Sequence, residues 1–241
     1  MTTVVITQPM FFPWPGMLEQ VRLADVVVYY DDVQFSKGSF SNRVQVKTAS
    51  GSKWLSVPLV HAPLGTHLRA VLTQPAPLWK AAHLALLEQA YAAAPHRREM
   101  LDVVECVYGH DHRSLADLSI ASMDALAEYF ELASPRRFLR SSGLEVAGSG
   151  SQRVLDIVRA FGGSTYVTGH GARNYLEHEA FEANGVVVEY LDYGLQAYPQ
   201  LHGDFTPFVS SLDLIANRGR EGRAHLRSPA IPWREFLARR N

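Results

Sequence analysis

The sequence predicts an α/β fold with a mostly parallel central sheet. Three observations predict it. Short β-branched runs at 3–7 (TVVIT) and 26–30 (VVVYY) have the continuous apolar character of strands buried on both faces. An amphipathic stretch separates them. A similar alternation returns after residue 150, with strand-like STYVT and VVVEYL on either side of a helical segment. The expectation is two βαβ-like halves that pair in parallel.

Taken in order, strand 3–7 leads into a loop rich in proline and aromatic residues. Pro15-Gly16 then opens a short helix with Met17, Leu18, Val21 and Leu23 on its apolar face. Segments 42–48 and 53–60 flank the turn cluster Ala49-Ser50-Gly51-Ser52, which predicts an antiparallel hairpin. An inserted helical segment follows over about 79–131, in three pieces at 79–93, 96–108 and 114–131. Pro95 and Gly109-His110-Asp111 separate them. The Gly/Ser-rich stretch 143–150 is the best internal boundary in the chain. Beyond it come a helix from Ser151 to Phe161, a strand after Gly162-Gly163, a helix over 172–183 and a strand after Asn184-Gly185. A helix near 210–217 and a basic segment over 218–241 complete one α/β domain spanning 1–241.

Composition fits this reading. Hydrophobic residues at 47% and charged residues at 20% suit a globular core, and a net charge of −1 gives no global drive toward nucleic acid. The N-terminus has no basic region before its apolar run and reads as a first strand. No stretch approaches the roughly 20 apolar residues of a membrane span. One cysteine, Cys106, cannot form an internal disulfide, and a cytoplasmic location is expected. Cys106 has apolar helical neighbours and reads as a buried, inert thiol. Arg218, Arg220, Arg223, Arg227, Arg234, Arg239 and Arg240 face only Glu221 and Glu235 in the last segment. They form a solvated tail or a patch for an anionic group or acidic partner.

Ligands of open α/β sheets bind outside the carboxyl ends of the strands, which singles out three loops. The first, from Gln8 to Gly16, offers Gln8 as an amide and Trp14 as part of a stiff wall. The second carries Asp31, Asp32 and Gln34. Adjacent carboxylates after a buried strand need cations, donors or a ligand, with Arg43 one available partner. The third holds Gly169, His170 and Gly171 before a helical segment, where backbone N–H groups could face an anion. It lacks the spacing of a dinucleotide fingerprint and the lysine of a Walker loop. No HExxH and no zinc-spaced Cys/His pair occurs, and no GxSxG elbow supports a hydrolase triad. No metal and no cofactor is read from the sequence.

Gln8-Pro9, Phe12-Pro13-Trp14, Gly16, Asp31-Asp32-Val33-Gln34-Phe35, Asn42-Arg43, Trp54-Leu55 and Val57-Pro58 together resemble the opening of the WbqC-like family. The resemblance continues through Trp79-Lys80, His83, Tyr91, Pro95, Thr168-Gly169 and Tyr175-Leu176. It ends with Tyr198, Gln200, Phe205, Pro207, Ser210, Asp213-Leu214, Asn217 and Gly219. Met17-Leu18 stand where the family pattern has two aromatics, and Phe40 where it has tryptophan. The resemblance implies a role in decorating an amino sugar or a similar amine in surface-polysaccharide or specialised-metabolite biosynthesis, with glycine-type amino-acid transfer as the activity.

Such an N-acyl or aminoacyl transferase needs a base, donors for an oxyanion and a hold on the amine. His83 and His61 are candidate bases, and Asp31 and Asp32 could hold the amine. Gln8, Trp14, Gln34, Asn42, Arg43, Lys80, Gly169, His170, Tyr198 and Gln200 are candidates for binding. The partners expected are a small amine acceptor and an acyl- or peptidyl-carrier protein as donor. Two other readings stay open: a nucleotide-using, synthetase-like adenylyltransferase, and a non-catalytic scaffold of a biosynthetic complex.

Overall fold

The computed structural model describes residues 1–133, 135–194 and 196–239. In chain order the main elements are β1 (Thr3–Thr7), α1 (Pro15–Leu23), β2 (Val26–Tyr29), β3 (Arg43–Thr48) and β4 (Gly51–Ser56). Then come α2 (Pro77–Ala90), α3 (Arg97–Tyr108), α4 (Leu115–Tyr129), β5 (Arg137–Arg140) and α5 (Gly150–Ala160). The last third supplies β6 (Thr165–Thr168), α6 (His178–Ala183), β7 (Val187–Leu191), α7 (Ser211–Arg218), β8 (Ala230–Pro232) and α8 (Trp233–Ala238).

Six strands form one sheet in the order β5-β2-β1-β6-β7-β8. Every neighbouring pair is parallel except β7 and β8. Strand alternation sorts the core into two layers. Val5, Val27, Tyr29 and Val167 face α1, α3, α4 and α7. Val4, Ile6, Val26, Val28, Tyr166, Val188 and Tyr190 face α5, α6 and α8. The β3–β4 hairpin is a separate two-stranded sheet packed into the first layer through Val44, Val46 and Leu55. The two βαβ-like halves, the hairpin and the inserted helices therefore stand as the sequence implies.

The local starts and stops follow from residue chemistry. Ser114 caps α4 by accepting from Asp117 N–H at 3.1 Å, while the Asp117 carboxylate accepts from Ser114 N–H at 3.3 Å. Three features depart from expectation. The helix expected over 172–183 is a 3-10 turn at His170–Asn174 followed by the shorter α6. Strands β5 and β8 and helix α8 had no sequence reading. The RFLR of β5 is too short and polar to show a period, and β8 spans only three residues. Cys106 is exposed on α3 rather than buried, because Val104 and Val107 take the inward face.

Most of the arginine-rich end is paired, with Arg227 exposed and outside any ion pair among the described residues. Arg218 pairs with Glu221, Arg220 and Arg223 with Glu131, Arg234 with Glu182, and Arg239 with Asp192 and Glu235. Arg240 lies outside the described residues. No helix among the described residues is long and apolar enough to cross a membrane.

Where α5 turns into β6, the chain passes so close to its neighbours that residue 163 has no room for a side chain. A Cβ on Gly163 would lie 2.7 Å from Val158 Cγ1 and 2.8 Å from both Val158 O and Val4 Cγ2. Gly163→Ala should therefore cost roughly 1–3 kcal/mol in urea unfolding, the usual penalty for overpacking. Gly171→Ala, with open space around it, should stay within about 0.5 kcal/mol of wild type. Equal effects of the two would remove close packing as the reason for glycine at 163.

Candidate functional site

From β1 the sheet grows outward through β2 to β5, and the chain then crosses back to place β6 on the other side of β1. The connections after β1 and β6 diverge there, the switch point at which doubly wound sheets open a crevice. A cleft of about 940 Å³ lies at this place, lined among others by Gln8, Tyr30, Asp32, Gln34, His67, Glu145, Gly148, Ser149, Arg153 and Tyr175.

Its floor is an ionic cluster at the end of β2. Asp31, 1% exposed, accepts from Ser141 Oγ at 3.2 Å, Ser142 N–H at 3.0 Å and Ser142 Oγ at 2.8 Å. It thereby ties β2 to the 3-10 turn that follows β5. Asp32 accepts from Ser141 Oγ and, in a fork, from Arg153 Nη1 at 3.0 Å and Nη2 at 2.6 Å. Burial pushes the Asp32 carboxyl up, but the Arg153 and Ser141 bonds outweigh it and hold it below its ordinary range. Arg153 also donates from Nε to Val146 O at 3.0 Å and lies 5.1 Å from the Tyr30 ring centre. One guanidinium thus joins the loops after β2 and β5.

The stretch 143–150, read from sequence as an internal boundary, is a wall of this cleft. Gly148 and Gly150 have φ of 99° and 62°, where side chains are strained. Ser149 makes no side-chain cap, so the first-turn N–H groups of α5 have no side-chain acceptor at the N-cap.

His67 reaches the cleft on the long segment between β4 and α2. That segment lies along the second loop through Arg69 N–H to Asp31 O at 2.9 Å, Leu68 N–H to Val33 O at 2.8 Å and Phe35 N–H to Thr66 O at 2.9 Å. An isolated antiparallel bridge sets Gln34 beside His67.

The first loop is held stiffly. Phe12, fully buried, has φ of 38°, a conformation that costs a non-glycine residue of order 1–2 kcal/mol. Its N–H donates to Ser122 Oγ at 2.9 Å and its carbonyl accepts from Ser210 Oγ at 2.7 Å. Phe11 and Phe12 turn into the core, while Gln8 remains exposed in the cleft. Trp14 folds over Gly16, where a Cβ would sit 2.0 Å from the indole, and packs edge-on against Tyr193 at 5.0 Å.

Of the residues singled out by sequence, Gln8, Asp32 and Gln34 meet in the cleft with Asp31 just beneath. The others lie elsewhere. Asn42 donates to Val57 O, and Arg43 donates to Gly38 O and stacks 4.3 Å over Trp54, both on the hairpin. His61 is exposed and outside the cleft. His170 bonds Leu191 O at 3.0 Å, and Gly169 packs against the Gln20 amide. The residue of that loop that lines the cleft is Tyr175.

Tyr198 and Gln200 belong to a buried knot around Asp213, which accepts from Tyr198 OH at 2.9 Å, Tyr91 OH at 3.0 Å and Asn217 Nδ2 at 3.2 Å. Burial raises the Asp213 carboxyl, with the tyrosine bonds acting against it. Lys47 closes the knot by donating to Gln200 Oε1 and to the carbonyls of Gly203 and Asp204.

The surroundings of His83 suit an anchor. A carbonyl only accepts, so Nε2 donates to Ser56 O at 3.0 Å and Nδ1 accepts from Tyr108 OH at 2.8 Å. Both nitrogens are committed, and the ring packs on Trp79 at 5.1 Å. Sequence reasoning missed Arg153, Tyr30, His67 and Glu145, and reached Tyr175 only as the end of the third loop. A helix with Arg at its fourth residue after Gly-Ser-Gly was the one local signal, and its pairing with Asp32 spans 121 positions.

Burial lowers the His83 imidazole to about 4 from 6.5, against a smaller opposing effect of the Ser56 bond. The unfolded chain therefore binds a proton between pH 6.5 and 4 that the folded chain refuses. Stability from a neutral His83 is complete above about pH 6.5 and drains away as pH falls toward 4. His83→Gln should flatten the fall in unfolding free energy across that window by roughly 3 kcal/mol. An unchanged pH dependence in urea melts of the variant would contradict this placement.

Among the described residues no group of three or more His, Cys, Asp or Glu side chains is placed to hold a metal. No solved structure matches this chain. The chain is 32% identical over 230 residues to the uncharacterized protein Rv1507c of Mycobacterium tuberculosis, covering 94% of this chain and 98% of that one. Residues 8–225, from the first cleft loop to the turn after α7, match the WbqC-like protein family. The chain therefore belongs to the WbqC-like family.

Proposed function

We propose that the strand-end cleft is the active site of a transferase that forms an amide, joining an acyl or aminoacyl group to an amino sugar or similar small amine. The observation that supports this reading most is the company kept in one cleft: the His67 imidazole, the Glu145 carboxylate and the Gln8 and Gln34 amides, all exposed. Glu145 has no ion pair among the described residues. It is suited to hold the ammonium form of an acceptor.

His67 then takes a proton from that nitrogen, which frees the lone pair for attack on the acyl carbonyl. As the C–N bond forms, the carbonyl oxygen becomes an oxyanion, and amide N–H groups of Gln8 or Gln34 donate to it. Collapse breaks the bond to the donor's leaving group, and His67 returns the first proton to that group. The second proton of the attacking nitrogen then passes by way of His67 to solvent, leaving a neutral amide. Asp32 is committed to Arg153 and serves as floor rather than base. Tyr30 and Tyr175, both raised in pKa by burial, stay protonated as hydroxyl donors and flat walls for a sugar ring.

The acyl donor is a thioester or similar activated acyl group. A carrier protein bearing it would find most arginines of the C-terminal segment already paired with carboxylates of this chain.

Nucleotide use is the second reading, and one observation favours it. Numbered within the sheet alone, the strands run 3-2-1-4-5-6, the order of doubly wound dinucleotide-binding sheets. The uncapped start of α5 opens on the same cleft.

Both readings are tested by incubating the whole protein with a nucleotide-linked amino sugar and an acyl thioester, with and without ATP, and following products by mass spectrometry. We expect an ATP-independent amide product. His67→Ala should lower kcat by roughly 10²–10⁴ with unchanged melting, and His83→Ala should do the reverse. Product formed only with release of AMP would favour the nucleotide reading. Full kcat in the His67→Ala protein would remove His67 from the reaction.

A further inference from the structure

A second concavity lies on the helical side of the molecule, between the start of α2 and the turn before α4. Its volume is about 280 Å³, and Thr73, Gln74, Trp79, Lys80, Asp111 and Arg113 are among the residues around it. None of its residues lines the strand-end cleft. The proposed transfer reaction makes no use of it.

The cationic groups there are incompletely used. Lys80 Nζ donates to Tyr108 O at 2.7 Å and His110 O at 3.3 Å. These two bonds fix the ammonium and leave a third N–H. The Nζ also lies over the Trp79 and Tyr108 rings, at 5.9 Å and 5.5 Å. The Arg113 side chain is exposed and has no ion pair among the described residues. Trp79 is 6% exposed, and its indole N–H donates to Gln74 O at 3.1 Å, which stiffens the wall opposite. His112 also lines the concavity, with its Nε2 committed to Val107 O at 2.8 Å. Asp111 is the one carboxylate, so Lys80 and Arg113 leave a formal charge of +1 in the concavity. A lysine pinned at two carbonyls and an arginine with no ion pair among the described residues, both lining one concavity, are an arrangement for an oxyanion.

We propose that this concavity is a binding site for the oxyanion of a small molecule, a phosphate or a carboxylate, held by Lys80 and Arg113 against Trp79. Its volume lies at the lower edge of the range for small-molecule pockets. It suits inorganic phosphate, a phosphorylated fragment or a short carboxylic acid rather than a whole nucleotide sugar. Asp111 sets an upper limit on the affinity and disfavours multiply charged anions.

The Trp79 indole N–H is the reporter. In nitrogen–proton spectra of the full chain, Trp79→Phe identifies its signal among the four tryptophans. Inorganic phosphate and, separately, acetate are titrated at ionic strength fixed with sodium chloride. The site predicts a saturable shift of the Trp79 signal with one or both anions. Phosphate alone would mark a phosphoryl ligand, and acetate a carboxylate. Arg113→Gln, at an exposed side chain, should weaken the saturating anion by roughly tenfold or more. Asp111→Asn should tighten it. A signal unmoved by both anions would overturn the proposal. So would an identical titration in the Arg113→Gln protein, because general screening would then account for the shift. Neither result depends on amide formation in the strand-end cleft.

Discussion

The pairing of Asp32 with Arg153 is the contact on which the cleft depends. It joins the end of β2 to α5 across the sheet, with side chains 15% and 9% exposed. A buried pair of this kind adds little net stability, because desolvating two charges cancels most of their attraction. Its value is positional. The forked guanidinium fits one carboxylate geometry, and the same group reaches Val146 O and the Tyr30 ring. Asp31 fastens the 3-10 turn below through three donors. Two adjacent carboxylates are thereby satisfied without a metal ligand set, and both serve the architecture around the space where a substrate would lie.

The remaining walls are stiff for other reasons. Phe12 in a left-handed conformation is held by Ser122 from α4 and Ser210 before α7, so the strain is met by two hydroxyl bonds from separate parts of the chain. The segment carrying His67 is laid against the second loop by backbone hydrogen bonds. Gln8, Gln34, His67 and Glu145 project as exposed polar groups from these fixed walls. Preorganised donors and acceptors around an open cleft are what acyl transfer to an amine requires, since the protein need not reorganise as charge develops.

Much of the fold was legible locally. The β-branched runs of β1, β2, β6 and β7, the turn cluster of the hairpin and the apolar stripe of α4 each act over a few residues. The strand-end rule was enough to find Gln8, Asp32 and Gln34. What stayed hidden is non-local. Arg153 has meaning only beside Asp32, His67 only beside Gln34, and β5 only as an edge added to β2. Family resemblance itself mixed two kinds of residue. Gln8 and Gln34 line the cleft, whereas Tyr91, Tyr198, Gln200, Asp213 and Asn217 form a buried knot that holds α7 and the loop before it. A motif does not distinguish them. Burial and partners do.

The central claim is that Asp32 and Arg153 act as one unit that assembles the cleft. A double-mutant cycle measures this directly, using urea unfolding at pH 7 of Asp32→Asn, Arg153→Met and the combined variant. Either single change leaves a buried charged group unpaired and should cost roughly 3–5 kcal/mol. The double variant should cost less than the sum, with a coupling energy of roughly 1.5–3 kcal/mol. Costs that add to within about 0.5 kcal/mol would show that the two side chains act independently, and the account of the cleft built on their pairing would be wrong.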